Sequence, residues 1–402
     1  MNRVKKSLEC YTVHHQLYMH VGKGYFTSMR IGIDARLYSS AFTGIGRYVY
    51  ELIDELLKLD QKNQYVLFFN RPNYEEYRIP NKRVQKIFAD APHYSFAEQW
   101  KFWRQLENAK LDLMHFTHFN APLLYRRPSV VTIHDLTLNF YPGKKMNRWY
   151  MRAGYHLIIN SIVRRAQKII AVSEHTKGDV VRYLKADPQK IKVIHEGANP
   201  QFHRIADQHL IQKFLHRMGL GKPYVLYTGV WRSHKNLVNL IKAFGILKRK
   251  FHFDGQLVIT GKEDPWYPEV KETVRLEHLE GEVRFTGLVP DEDLVLLYNG
   301  ALLYALPSFY EGFGLPALEA FACGIPVCAS QTSSLPEVCG KDNALFFNPQ
   351  DPHDMAEKMA SLCQNSQLRE KLIVRGLNRL KDFSWQRMAR QTLEVYNEAL
   401  QM

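Results

Sequence analysis

RIGIDARLYSSAFTGIGRYVYELIDELLKLDQKNQYVLFF, residues 30 to 69, decides the fold. RIGID (30 to 34) reads as a short strand, and YVLFF (65 to 69) as a second one. Between them RYVYELIDELLKL sets Val49, Leu52, Ile53, Leu56 and Leu57 at helical spacing. Strand, helix and strand in that order are the repeating unit of a parallel sheet covered by helices.

The alternation carries on in both directions of inference. LMHF (113 to 116), VVTI (130 to 133), KIIAV (168 to 172) and KVI (192 to 194) are further strands. A polar, unpatterned segment, HEGANPQFHRIADQ (195 to 208), then breaks the rhythm. The cycle restarts at YVLYT (224 to 228) and runs through LVIT (257 to 260), VRFTG (283 to 287), LLYAL (302 to 306) and IPVCAS (325 to 330). The expected architecture is α/β, with one domain over residues 29–205 and a second over 206–383. Residues 1–28 are set aside as an amino-terminal extension, and Met29 is an alternative start. That stretch is basic but has neither an uninterrupted apolar run nor a small-residue cleavage site, so it is not read as a signal peptide.

Composition narrows the function. The chain has 402 residues, 46% of them hydrophobic, and Lys plus Arg exceed Asp plus Glu by 54 to 40, a net +14. Such a surplus points to an anionic partner: a phosphorylated small molecule, an acidic lipid surface or nucleic acid. No nucleic-acid recognition motif accompanies the basic residues, so a nucleic-acid-binding protein is the distant alternative and no such partner is expected. Five cysteines without a CxxC pair indicate neither a disulfide framework nor a zinc site, and a reducing, cytoplasmic compartment fits them. The longest apolar run, LVLLYNGALLYAL (294 to 306), falls short of the roughly 20 residues a membrane span needs.

Open parallel sheets bind ligands beyond the carboxyl ends of their strands, so the loops after the strands carry the chemistry. PSFYEGFGLPALEA (307 to 320) follows LLYAL. Pro316 suits a first helical turn and Gly324 a carboxyl cap, giving a short helix over about 315 to 323. Glu311 then lies in the loop and Glu319 one turn into the helix, with Gly312 and Gly314 allowing close approach of a ligand. Free amides at the helix start favour an anion, whereas the two carboxylates suit neutral hydroxyls such as those of a sugar or ribose. A macrodipole partner for Glu319 and a solvated Glu311 are the plainer readings.

Three other loops qualify. Gly44-Ile45-Gly46 opens the first helix and serves either a tight turn or an anion. GVWRSHK after YVLYT brings Gly229, Arg232 and Lys235 to the crevice, where the cations could hold a pyrophosphate or simply be solvated. His134-Asp135 follows VVTI directly. Asp291-Glu292-Asp293 imitates a metal motif, but Pro290 before it marks a helix start, and His115 and His118 lack an acidic third ligand. No metal is expected.

Taken in order, TGIGRY, TIHDL, AVSEHTK, HEGANPQF, GVWRSHKNL, FTGLVPDEDL and SFYEGFGLPALEA resemble glycosyltransferase family 4, retaining enzymes with the GT-B fold. The likeness spans nearly the whole chain from Met29 and is strongest to mannosyltransferases of bacterial O-antigen and surface polysaccharide, including lipopolysaccharide, synthesis. It implies two Rossmann-like domains facing across a cleft, the first on the acceptor side and the second binding a nucleotide-sugar donor. A final helix, 384–402, would cross back to the first domain. The resemblance further implies that Glu319 binds ribose, Glu311 the donor sugar, and Phe313, Gly314 and Leu315 offer amides to sugar and phosphate. Arg232 and Lys235 would neutralise the pyrophosphate, Gly46 would approach the donor, and His134 would lie beside the sugar near the acceptor. The implied donor is GDP-mannose, the implied acceptor a glycan or lipid-linked saccharide, with no cofactor and no metal. A sugar-nucleotide epimerase or a phosphorylase of the same architecture is the alternative; the latter would need a pyridoxal-bearing lysine that is not identifiable.

Between Tyr141 and Lys190 there are 11 Lys and Arg against 3 Asp and Glu, with Trp149, Tyr150 and Tyr155 interleaved in KKMNRWYMRAGYHLII. Either this is a solvated helix face over core aromatics, or it is a surface for anionic lipid on the inner face of the plasma membrane.

Overall fold

The computed structural model describes residues 28–39, 44–93, 95–143, 146 and 148–401. The expected amino-terminal extension, apart from Ser28, lies outside them, as do residues 40–43 of the first strand-to-helix loop.

The first sheet has seven strands: β1 (Arg30–Asp34), β2 (Gln64–Phe69), β3 (Val84–Phe88), β4 (Leu113–Phe116), β5 (Ser129–Ile133), β6 (Lys168–Ala171) and β7 (Ile191–Val193). They lie in the order β3-β2-β1-β4-β5-β6-β7, every pair parallel. The second sheet runs β10-β9-β8-β11-β12-β13, again all parallel. Its strands are β8 (Tyr224–Thr228), β9 (Gln256–Thr260), β10 (Val283–Gly287), β11 (Leu303–Leu306), β12 (Val327–Ser330) and β13 (Leu345–Phe347). The fold is thus α/β with two Rossmann-like sheets.

Each sheet reverses its winding once, between β1 and β4 in the first and between β8 and β11 in the second. These switch points open the crevices in which doubly wound sheets bind ligands. The loops after β8 and β11 are therefore brought together by topology, although some 80 residues separate them in the chain.

Two strands are absent from the sequence reading, β3 (VQKIF) and β13 (LFF), and both are edges. Central strands are buried on both faces and spell apolar runs. In β3 only Val84 is buried, and β13 has three residues, so neither carries that signature.

The last helix, Trp385–Leu400, does not cover the sheet that precedes it. Its Trp385, Met388, Val395 and Tyr396 join Tyr48, Leu52, Ile53 and Leu56 of the helix Gly44–Leu59, and Ile31 and Ile33 of β1, in one core. A buried polar chain fastens it there. Tyr396 Oη lies 2.6 Å from His115 Nδ1, His115 Nε2 lies 2.8 Å from Thr132 Oγ1, and Tyr48 Oη lies 2.9 Å from the same hydroxyl. His115 is thus a core histidine, its pKa pushed down to about 3 by burial, with His134 adding to the effect.

Candidate active site

The helix Leu315–Ala322 after β11 begins at Gly314, whose φ of +107° is a left-handed conformation that side chains avoid. Among the described residues no side chain caps this start, and Pro316 lies in the first turn, so the leading amides have no capping side-chain acceptor. Gly312 is constrained differently. A Cβ there would stand 2.1 Å from the carbonyl oxygen of His134, so the loop can seat on the first domain only because it has no side chain at that position.

That seat is held by hydrogen bonds across the gap. Ser173 Oγ donates to the Gly312 carbonyl at 2.7 Å, Thr176 Oγ1 donates to the His134 carbonyl at 3.1 Å, and Tyr310 Oη donates to Asp179 at 2.5 Å. Glu337 of the second domain accepts from the Glu174 and His175 amides at 2.9 and 3.2 Å, and lies 2.7 Å from His195 Nε2. The carboxylate thereby caps the amino end of a first-domain helix, Glu174–Leu184.

The loop after β8 supplies the cations. Lys235 Nζ donates to Glu311 Oε1 at 2.7 Å, with the two side chains 19% and 12% exposed. Ser308 Oγ donates to the same oxygen at 2.6 Å, and the Glu311 amide donates to Ser333 Oγ at 3.0 Å. Burial alone would push the Glu311 carboxyl up, but Lys235, His234 and Ser308 outweigh it and hold it below the usual carboxylate range. The Phe309 amide donates to the His234 carbonyl at 2.8 Å, so the two loops are stitched through the backbone too. Arg232 does not join this pair; it binds Asp264, after β9.

Glu319 sits apart from Glu311. Tyr298 Oη donates to its Oε2 at 3.0 Å and lies 2.8 Å from Thr228 Oγ1. Burial raises its carboxyl from 4.5 to about 7, since Tyr298 and the more distant Arg47 only partly offset the loss of water. Gly44 and Gly46 lie in the first turn of the helix Gly44–Leu59, with Leu315 Cδ1 3.9 Å from where a Gly44 Cβ would stand. Two helix starts, one from each domain, therefore face one another. Gly229 follows β8 with φ +146°, its carbonyl against Gly261.

His134 is placed at the gap but with its ring engaged. Nδ1 lies 3.3 Å from Glu196 Oε1, Nε2 lies 3.0 Å from the Thr117 carbonyl oxygen, and Tyr48 packs edge-on at 4.7 Å. Both ring nitrogens thus have partners inside the first domain. The group that meets the donor-side loop is its backbone carbonyl.

Topology therefore unites Lys235, Glu311, Gly312, His134, Gly44 and Leu315, while Arg232 and Glu319 occupy its flanks. Sequence reasoning missed Ser308, Ser333, Tyr298 and Asp264. Asp264 could have been found by the rule that located the others, since it follows a strand's carboxyl end. Among the described residues no group of three or more His, Cys, Asp or Glu side chains could hold a metal ion. Asp291, Glu292 and Asp293 form the first turn of the helix Asp291–Asn299, with Asp293 bound to Arg217 at 2.8 Å. No helix among them is long and apolar enough to cross a membrane. Of the aromatic residues in the basic helix, Trp149–Arg165, Trp149 is 79% exposed, whereas Tyr155 is buried and donates to Asn139, so it belongs to the core and not to a surface.

Residues 211–379 match the family described as "Glycosyl transferases group 1", and residues 42–202 match "Glycosyltransferase Family 4". The O-antigen chain mannosyltransferase B of Escherichia coli is 28% identical over 375 residues, covering 88% of this chain and 96% of that protein. Among solved structures, the sucrose-phosphate synthase of Thermosynechococcus elongatus superposes with a TM-score of 0.74 at 22% identity, over 92% of this chain and 98% of the other. The Anabaena protein Alr3699/HepE, in complex with UDP and glucose, gives 0.73 at 18% identity over 92% and 99%. With one half in family 4, the other in group 1 and the two-sheet GT-B architecture throughout, the chain belongs to the glycosyltransferases.

Proposed function

We propose that the enzyme transfers mannose, with retention of configuration, from GDP-mannose to a lipid-linked or polysaccharide acceptor in O-antigen synthesis. The observation that carries the donor side is the Lys235–Glu311 pair beside an uncapped helix start. A diphosphate entering there draws Lys235 away from Glu311 and takes the amides of Phe313, Gly314 and Leu315. Glu311, released, accepts the sugar hydroxyls. Arg232 adds a second positive charge from the flank, and Glu319 accepts the ribose hydroxyls. Charge on the departing phosphate is stabilised by groups already oriented, the contribution that usually dominates such rates. Transfer breaks the bond from the anomeric carbon to the phosphate oxygen and forms one to the acceptor oxygen, whose proton passes to the leaving phosphate. Asp34, Asp135 and Glu196 all have partners within the first domain, which supports attack on the same face over a covalent enzyme intermediate. His134 walls the sugar and does not act as base.

The similarity to a mannosyltransferase favours the sugar. A thermal-shift comparison of GDP-mannose with UDP-glucose tests it, since a ligand at a hundred times its dissociation constant adds about 2.7 kcal/mol. GDP-mannose should give the larger shift, and Glu319→Ala should lose it; an undiminished shift in that variant would refute the ribose role.

The acceptor side suits the cytoplasmic face of a membrane. The helix Trp149–Arg165 contains no carboxylate, and Trp149, Tyr150, Arg152, His156 and Leu157 are exposed on it. In vesicle flotation, binding should require anionic lipid and weaken with salt. Equal flotation on neutral vesicles would remove the idea.

A further inference from the structure

Unpartnered polar side chains gather at the switch point of the first sheet. Asn120, four residues past β4, is fully buried, yet among the described residues neither Nδ2 nor Oδ1 has a hydrogen-bond partner. His118 Nδ1, His93 Nε2 and Gln99 Nε2 are likewise buried without partners. Contacts place them together. Arg36 donates to the Asn120 carbonyl at 3.3 Å and pairs with Glu98 at 2.9 Å, and Glu98 lies 3.4 Å from His93. Gln99 spends its oxygen on the Leu123 amide at 2.9 Å, and the His118 ring centre is 6.1 Å from that of His134.

Leaving a buried polar group unsatisfied is costly, so a cluster of them at a ligand-binding crevice marks groups kept for something that enters. Its chemistry is uncharged. Arg36 is locked between Asp34 at 2.7 Å and Glu98 and is not free for a phosphate. Burial, with His134, His93 and Arg36 nearby, holds His118 well below its ordinary pKa, so it too is neutral. An amide offering two donors and an acceptor beside a neutral imidazole matches adjacent hydroxyls of a sugar.

We propose that Asn120 and His118 recognise hydroxyls of the acceptor sugar, on the far side of His134 from the donor. The proposal rests on the donor reading above and names the residues that face it. His118 is partly exposed and forms the entrance, and Asn120 reaches the hydroxyl directly or through one held water.

The test uses the full chain with methyl α-D-mannopyranoside, methyl α-D-glucopyranoside and methyl α-D-galactopyranoside as probes, binding being read by saturation-transfer NMR. The wild type should bind at least one of them, and Asn120→Ala and His118→Gln should each weaken it tenfold or more. The Asn120 side chain makes no hydrogen bond among the described residues, so Asn120→Ala should not lower the melting temperature, as loss of a structural amide would. The GDP-mannose thermal shift should persist in both variants. A wild type that binds no glycoside, or variants that bind it undiminished, would overturn the assignment. No nucleotide shift in any form would sink the donor reading; glycoside binding lost in the variants would then still assign a sugar site to Asn120 and His118, but not an acceptor's.

Discussion

Both domains place ion pairs just beyond the carboxyl ends of their strands, yet the pairs differ in what surrounds them. In the first domain Asp34, Arg36 and Glu98 form a triad whose side chains are at most 3% exposed, and Arg36 also donates to the carbonyls of Ala91 and Asn120. In the second, Lys235 and Glu311 remain in reach of the gap, and among the described residues a hydroxyl is the only other side-chain partner at the shared carboxylate oxygen. A charge fully enclosed by partners serves the fold. A charge with one internal partner and an open side can exchange it for a ligand.

Removing Arg36 gives the largest expected effect. Arg36→Ala removes the cation shared by two buried carboxylates, and breaking such a pair costs about 3–5 kcal/mol. Urea unfolding should show the loss directly, and Arg36→Met with Glu98→Gln should recover part of it by removing charge as well as the partner. If Arg36→Ala unfolded at the wild-type midpoint, the triad would not be structural and the contrast would fail.

Lys235→Ala should do the reverse. Turnover should fall about 100- to 1,000-fold, the loss typical when one preorganised group facing transition-state charge is deleted. Stability should change by less than in Arg36→Ala, because Ser308 still donates to Glu311 and solvent reaches the site. Steady-state rates alongside urea midpoints check both halves. A Lys235→Ala enzyme that is unstable yet turns over normally would exchange the roles assigned to the two pairs.

How much of this was legible in the sequence follows from what each residue needs. Glu311, Lys235 and Gly312 could be found because each follows a strand, and strands buried on both faces announce themselves. The partners that set their chemistry could not. Nothing in the chain says that Lys235 would take Glu311 while Arg232 took Asp264, since that choice depends on which loops the switch point brings together. His134 follows a strand legibly, but the partners of its ring, Glu196 from the segment between the sheets and the Thr117 carbonyl, do not show in the chain. Trp149 and Tyr155 look alike in sequence, and only helix phase sends one outward and the other to Asn139. Asn120 offered no signal at all, because a buried amide is recognisable as odd only when its missing partners can be counted.

The smallest effect sharpens the comparison within the second domain. Glu311 is held ionised by its lysine, whereas Glu319 takes a hydrogen bond from Tyr298 and is raised to about 7 by burial. The unfolded chain ionises Glu319 from the ordinary 4.5, so between that value and 7 the folded protein binds the extra proton. The stability it contributes is complete below 4.5 and is lost as pH rises through 7. Nucleotide binding should run the other way, because ribose hydroxyls donate to the ionised carboxylate. GDP-mannose, whose diphosphate has no group titrating near 7, should therefore bind up to about tenfold tighter at pH 8 than at pH 6, as the carboxylate goes from mostly protonated to mostly ionised. Glu319→Gln should flatten this dependence and, without nucleotide, unfold with a shallower decline in stability toward alkaline pH. Calorimetric titrations at the two pH values decide it. A pH dependence that survives intact in Glu319→Gln would move the titrating group elsewhere, and with it the distinction between a carboxylate committed to a lysine and one that waits for a hydroxyl.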